Sequence, residues 1–190
     1  FGFSGQIFAD FAGYSLIAVG ISSLFGYRLK ANFNKPYLAQ SFKDFWKRWH
    51  ISLSSFLQEY LYIPLGGNRK GKLRTYVNLF ITMSLGGLWH GAAWSYAVWG
   101  FYHGLLLAIE RYISSFSLKR TKNFPIVFKS LFVFCFISLG WLLFKLPEFD
   151  HVLIYLTSIY SNRFMDVQTG YIAAILLYTS PVFLYHIFNR

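Results

Sequence analysis

Acidic residues are scarce in this chain, with 7 Asp and Glu against 18 Lys and Arg in 190 residues, and there is a single cysteine. Cys135 alone excludes an internal disulfide, and within the apolar run SLFVFCFISLGWLLF it is expected to be a small buried side chain. Charged residues make up only 13% of the chain, whereas 55% is hydrophobic and 22% aromatic, with a mean hydropathy of +0.41. So little charge excludes a soluble domain with one apolar core and points to an integral membrane protein. Also missing are an HExxH pattern, close Cys and His spacing, a GxSxG elbow, a Walker loop and a GxGxxG fingerprint. A metal site, serine hydrolysis and phosphate cradling therefore lack local support, and no cofactor-binding residues are identified. The opening FGFSGQIF has neither an initiating Met nor the basic head and cleavage site of a signal peptide, so the C-terminal part of a longer protein is expected.

The net charge of +11 does not form one stripe with interleaved aromatics. Short basic clusters between apolar stretches fit the positive-inside rule, and no nucleic-acid partner is expected. A spanning helix needs about 20 mainly apolar residues at roughly 1.5 Å each, and Phe3 to Phe25, Pro125 to Leu146 and Tyr171 to Phe188 qualify. Thr75 to Ile113 is long enough for two crossings but is interrupted by GGLWHG, where paired glycines suggest a bend or a close backbone approach. Two helices meeting inside the membrane are expected there. Arg69, Lys70, Lys72 and Arg74 before this pair, with Arg111, Lys119, Arg120 and Lys122 after it, place both loops in the cytoplasm. The connection from Pro147 to Val167, with Glu148, Asp150 and Asp166, falls outside.

Gln40 to Gly67 is aromatic-rich but too charged for a lipid-facing span. Phe42, Phe45, Trp46, Trp49, Leu53, Phe56, Leu57, Tyr60 and Leu61 recur at helical spacing opposite Lys43, Asp44, Lys47 and Arg48. This predicts one amphipathic or re-entrant helix ending at Pro64. The fold expected is thus an all-α, multi-span helical bundle forming a single membrane domain over residues 1–190.

Ionisable groups inside a membrane are expensive and mark sites or paired contacts. His90 falls fifteen residues after Thr75, roughly 22 Å into the bilayer on an unbroken helix, and is the first candidate for chemistry. His50, on the amphipathic stretch, is the second. Trp46, Arg48 and Trp49 beside His50, with Asn78 and Trp89 on the His90 side, are candidates for a substrate pocket. Asn78 and Glu59 could also orient a histidine. His103 is expected to be structural, His151 and His186 to be solvated, and Asp10 to be paired inside the bundle. From the residues alone, an enzyme and a transporter or channel with a histidine proton relay both remain open.

FWKRWHISLSSFLQEYLYIPLGGNRKG at 45–71 and NLFITMSLGGLWHGAAW at 78–94 resemble the membrane-bound O-acyltransferases, closest to the alginate O-acetyltransferase branch. The likeness extends through DFAGYS, NFNKPYLAQS, WGFYHGLLLAIER and GWLLF. The resemblance implies that His90, in the LWHG motif, is catalytic and that His50, in RWHISLS, is the second important histidine. It implies no tightly bound cofactor, with acetyl-CoA or another acyl thioester as co-substrate, whose phosphates Arg69, Lys70, Lys72 and Arg74 could attract from the cytoplasmic side. It further implies an envelope polysaccharide as acceptor, a periplasmic acyltransferase partner and a multi-pass location in the bacterial inner (cytoplasmic) membrane. The chain departs from the family at Gln58 and Glu59, where an Arg-Asp pair is usual, and at Ala12 and Leu16, where the family has Ser and Asp.

Overall fold

The computed structural model of the protein describes residues 1–116, 125–146, 148–161 and 169–188. Every regular element among these residues is helical. In chain order they are α1 (Gly2–Leu24), a 3-10 turn (Pro36–Leu38), α2 (Phe42–Arg48), α3 (Ile51–Leu57) and a π-helical turn (Gln58–Tyr62). The series continues with α4 (Lys72–Leu88), α5 (Trp94–Phe116), α6 (Ile126–Lys145), α7 (Phe149–Ser161) and α8 (Thr169–Phe188). Among the described residues α1, α6 and α8 are long and apolar enough to cross a membrane, and they coincide with the three expected spans. Three such helices fit a multi-pass membrane protein.

Helix α6 is central. Ile137 and Trp141 are fully enclosed, and the core continues through Phe8 of α1, Tyr37, Phe45, Trp49 and Trp99. Small hydroxyls tie the neighbours to it: Ser4 Oγ donates to Ser138 Oγ at 2.9 Å, Ser130 Oγ to the Leu38 carbonyl at 3.0 Å and Tyr102 Oη to the Phe136 carbonyl at 2.9 Å. Bonds of this kind between membrane helices contribute about 0.6 kcal/mol each on average. They orient the helices more than they hold them together.

Helices α4 and α5 form an antiparallel hairpin whose backbones touch. A Cβ on Gly87 would stand 2.1 Å from the Tyr96 carbonyl oxygen, and one on Gly100 would stand 2.2 Å from that of Met83. The paired glycines of GGLWHG thus mark a close approach, and α4 runs through them to Leu88; the chain turns only at 89–93. The hairpin brings the basic segment before α4 and Arg111 in α5 to the same end. Lys119, Arg120, Lys122, Asp166 and Arg190 lie outside the described residues.

Several expectations need correction. The stretch 40–67 is not one helix: it breaks at Trp49 and His50 and ends in a π-helical turn, because His50 takes a left-handed backbone that its side-chain pattern does not announce. The acidic connection after Leu146 contains α7, with Asp150 in the first turn, where a carboxylate suits the helix dipole. Cys135 is exposed on the outer face of α6, since an all-round apolar helix gives no periodicity to separate core from lipid. His186 is 2% exposed, not solvated; its Nδ1 lies 2.7 Å from the Val182 carbonyl and its ring stacks on Tyr37. Asp10 is exposed in a groove between α1 and α8 and has no ion-pair partner among the described residues.

Candidate active site

A cavity of about 630 Å³ lies between α2, α3, the turn at 66–69 and the α4–α5 hairpin. His50 and His90 both line it, 40 residues apart in sequence.

His90 follows the last turn of α4, its amide donating to the Gly87 carbonyl at 3.0 Å, and Gly91 (φ 156°) then redirects the chain. The half-buried imidazole stands among Trp89, Trp99 and Phe144 at ring-centroid distances of 5.0, 5.5 and 5.1 Å. It has no hydrogen-bond partner among the described residues, so a ring nitrogen is available to a ligand in the cavity.

His50 connects α2 to α3 at φ 44° and ψ 56°. For a residue with a Cβ this left-handed conformation costs about 1–2 kcal/mol and persists only where neighbours impose it. The segment 32–34 does so. Ile51 N donates to the Asn32 carbonyl (3.0 Å), Ser52 N to Asn32 Oδ1 (3.1 Å) and Asn34 N to the Arg48 carbonyl (2.9 Å). Between the two asparagines Phe33 packs against Phe11 and Trp49 at 4.8 and 5.0 Å. The His50 ring meets Phe11 edge-on at 4.6 Å. His50 lies on no spanning helix, and burial, followed by the proximity of His90, pushes its pKa down to about 4.

Trp46 and Trp49 line the cavity with the histidines. Trp46 stands edge-on to His103 (5.1 Å) and to Trp99 (5.9 Å), and Trp49 is buried against Phe45 and Trp141. The other three candidates stand outside the lining. Arg48 turns away to Asp44, Nε to Oδ1 at 2.8 Å. Asn78 is fully buried and donates to the carbonyls of Leu65 (3.3 Å) and Gly67 (2.9 Å), fastening the YIPLGG turn to α4. Trp89 is 63% exposed, with its ring between His50 (6.1 Å) and His90 (5.0 Å). Glu59 is exposed. His103 is completely buried, packed among the rings of Phe45, Trp46, Trp99 and Trp141, and neither ring nitrogen has a partner among the described residues. Among the described residues no three His, Cys, Asp or Glu side chains group as metal ligands would.

At the other end of the cavity sequence reasoning anticipated Arg69 but missed Lys43, Lys47 and Arg111. Lys43, Lys47, Arg69 and Arg111 line it there, and none of them is in an ion pair with a described carboxylate. Glu110, also in the lining, accepts from the backbone amides of Phe42 (2.5 Å) and Lys43 (3.3 Å), holding the start of α2 against α5. The i, i+4 spacing of Lys43 and Lys47 was the available signal, but the apparent role of that face was to meet solvent.

The family model described as MBOAT, membrane-bound O-acyltransferase family, matches residues 2–147. A probable alginate O-acetylase AlgI of Pseudomonas fluorescens is 50% identical over 143 residues, 75% of this chain and 28% of the relative. A peptidoglycan O-acetyltransferase of Helicobacter pylori is 44% identical over 151 residues, 80% of this chain and 29% of the relative. A teichoic acid D-alanyltransferase of Bacillus subtilis is 30% identical over 162 residues, 80% of this chain and 41% of the relative. The chain therefore spans less than a third of the length of the first two, and its match includes α1 through α6, with both cavity histidines. It belongs to the membrane-bound O-acyltransferase family.

Proposed function

We propose that this chain carries the catalytic region of an O-acyltransferase that moves an acetyl group from acetyl-CoA toward a hydroxyl of an envelope polysaccharide, alginate or peptidoglycan. The setting is the bacterial inner membrane, with a periplasmic acyltransferase as partner. The observation that carries this reading is one cavity holding His90 and His50 near the tip of the α4–α5 hairpin and, toward its base, four cations without an ion-pair partner among the described residues. The cations suit the phosphates of a nucleotide thioester. Lys70, Lys72 and Arg74, by contrast, do not reach the cavity.

In the transfer, the acceptor oxygen attacks the thioester carbonyl as a His90 ring nitrogen takes the hydroxyl proton. The new C–O bond forms, the tetrahedral intermediate collapses with loss of the C–S bond, and the proton passes from the imidazolium to the departing thiolate. A thiol pKa near 8.5 makes that departure easy, so no strong general acid is required. His50 is kept neutral by its surroundings, with Nδ1 3.5 Å from Ser52 Oγ and Nε2 left for a hydrogen bond in the same cavity.

The test compares wild type and His90→Ala at equal abundance in membranes, measuring ester released from envelope polysaccharide by mild base. A fall of about 10² to 10⁴-fold is expected from removal of a general base. Undiminished ester would overturn the assignment.

A further inference from the structure

We propose that Asn32 is a positioning residue for His50, acting through the backbone and touching no substrate. The inference rests on the reading of His50 as part of the acyl-transfer site.

His50 occupies the N-cap position of α3, yet its side chain caps nothing. In most helices the cap residue's own oxygen satisfies the first free amides. Here Asn32, eighteen residues upstream, does so: its carbonyl takes the amide of Ile51 and its Oδ1 takes that of Ser52. The cap residue is thereby released from capping, and its imidazole lines the cavity that also holds His90. The same two bonds fix the residues immediately after His50, while Asn34 N fixes Arg48 before it. This clamping from both sides makes the left-handed backbone at His50 the stable one. The clamp is itself anchored, since Phe33 inserts between Phe11 and Trp49, and Tyr37 Oη donates to the Ser4 carbonyl of α1.

Loss of the Asn32 amide leaves the Ser52 N–H to solvent and frees the start of α3. His50 then leaves its position by a small distance, and small misplacements of a reacting group carry large rate penalties.

The test uses membranes carrying the intact protein as wild type, Asn32→Ala or Asn32→Asp, compared per folded molecule. Asn32→Ala is expected to lower kcat for ester formation about tenfold or more with the acetyl-CoA KM within about twofold. Asn32→Asp restores most of the rate, because its carboxylate oxygen accepts the same bond and suits a helix N-terminus. A second readout needs no turnover: the rate of carbethoxylation of His50 by diethyl pyrocarbonate, mapped by mass spectrometry, shifts several-fold in the alanine variant and returns in the aspartate variant. Should Asn32→Ala fail to accumulate, Asn32→Ser, too short to reach Ser52, replaces it with the same expectation. His50 labelling that is equal in all variants, or an unmoved kcat in an active enzyme, overturns the proposal. A wild type that forms no ester while His50 labelling still depends on Asn32 removes the acyltransferase reading and leaves the positioning of His50 intact.

Discussion

His50 combines a left-handed backbone, an imidazole packed on Phe11 and a pKa near 4, and each feature has a separate physical source. The pKa has a testable sign. In the unfolded chain the imidazole takes up its proton near pH 6.5; in the fold it does so only near 4. Acid between those values favours the unfolded chain, so the contribution of His50 to stability is intact above about pH 6.5 and is lost as the pH falls through 4. Hydrogen–deuterium exchange at the imidazole C2 position, followed by mass spectrometry across pH, should give a midpoint near 4; a midpoint near 6.5 would mean that the ring is solvated. Both histidines were legible in the sequence, as each sits in a long motif, RWHISLS or LWHG. Asn32 and Glu110 were not: their bonds reach 20 and 68 residues along the chain, to backbone amides that carry no signature of their partner.

At the scale of elements, the three spanning helices could be read from apolar length because lipid imposes that length directly. The break between α2 and α3 could not, since the turning residue is a histidine where glycine would be the usual signal. Similarly, α7 was hidden by its short length and acidic start. The glycines of the α4–α5 hairpin separate two kinds of position. At Gly100 the obstacles to a Cβ are backbone atoms of Met83 and Ser84, which no rotamer change can move. Gly100→Ala should force the helices apart and destabilise the protein by about 1–3 kcal/mol, as overpacking does, seen as a lower melting temperature in detergent. A Cβ on Gly13 in α1 would meet nothing within 4 Å among the described residues. Gly13→Ala should be neutral or raise stability by up to about 1 kcal/mol through helix propensity. Equal losses at both positions would show that hairpin contact is not what requires glycine at 100.

Over the whole molecule, cations and histidines occupy opposite ends of one cavity. The sequence shows a net charge of +11 and assigns its clusters to topology, a role that α4 and α5 are consistent with by bringing Arg69 and Arg111 to the same end. The fold adds what composition cannot: α2, held at its start by Glu110, brings Lys43 and Lys47 to that end as well. In the acyl transfer proposed here, four cations in the lining would concentrate an anionic donor by long-range attraction, which acts on binding more than on the bond-making step. Reversing charge at Lys47 or Arg111 to Glu should therefore raise the KM for acetyl-CoA with kcat nearly unchanged, the opposite of the split expected for Asn32→Ala. The effect should shrink as salt rises, since screening over about 10 Å is already strong at 0.1 M. Steady-state kinetics at low and high salt would decide the matter: a fall in kcat at unchanged KM would place these residues in the transfer step, and an effect indifferent to salt would leave a steric role for them.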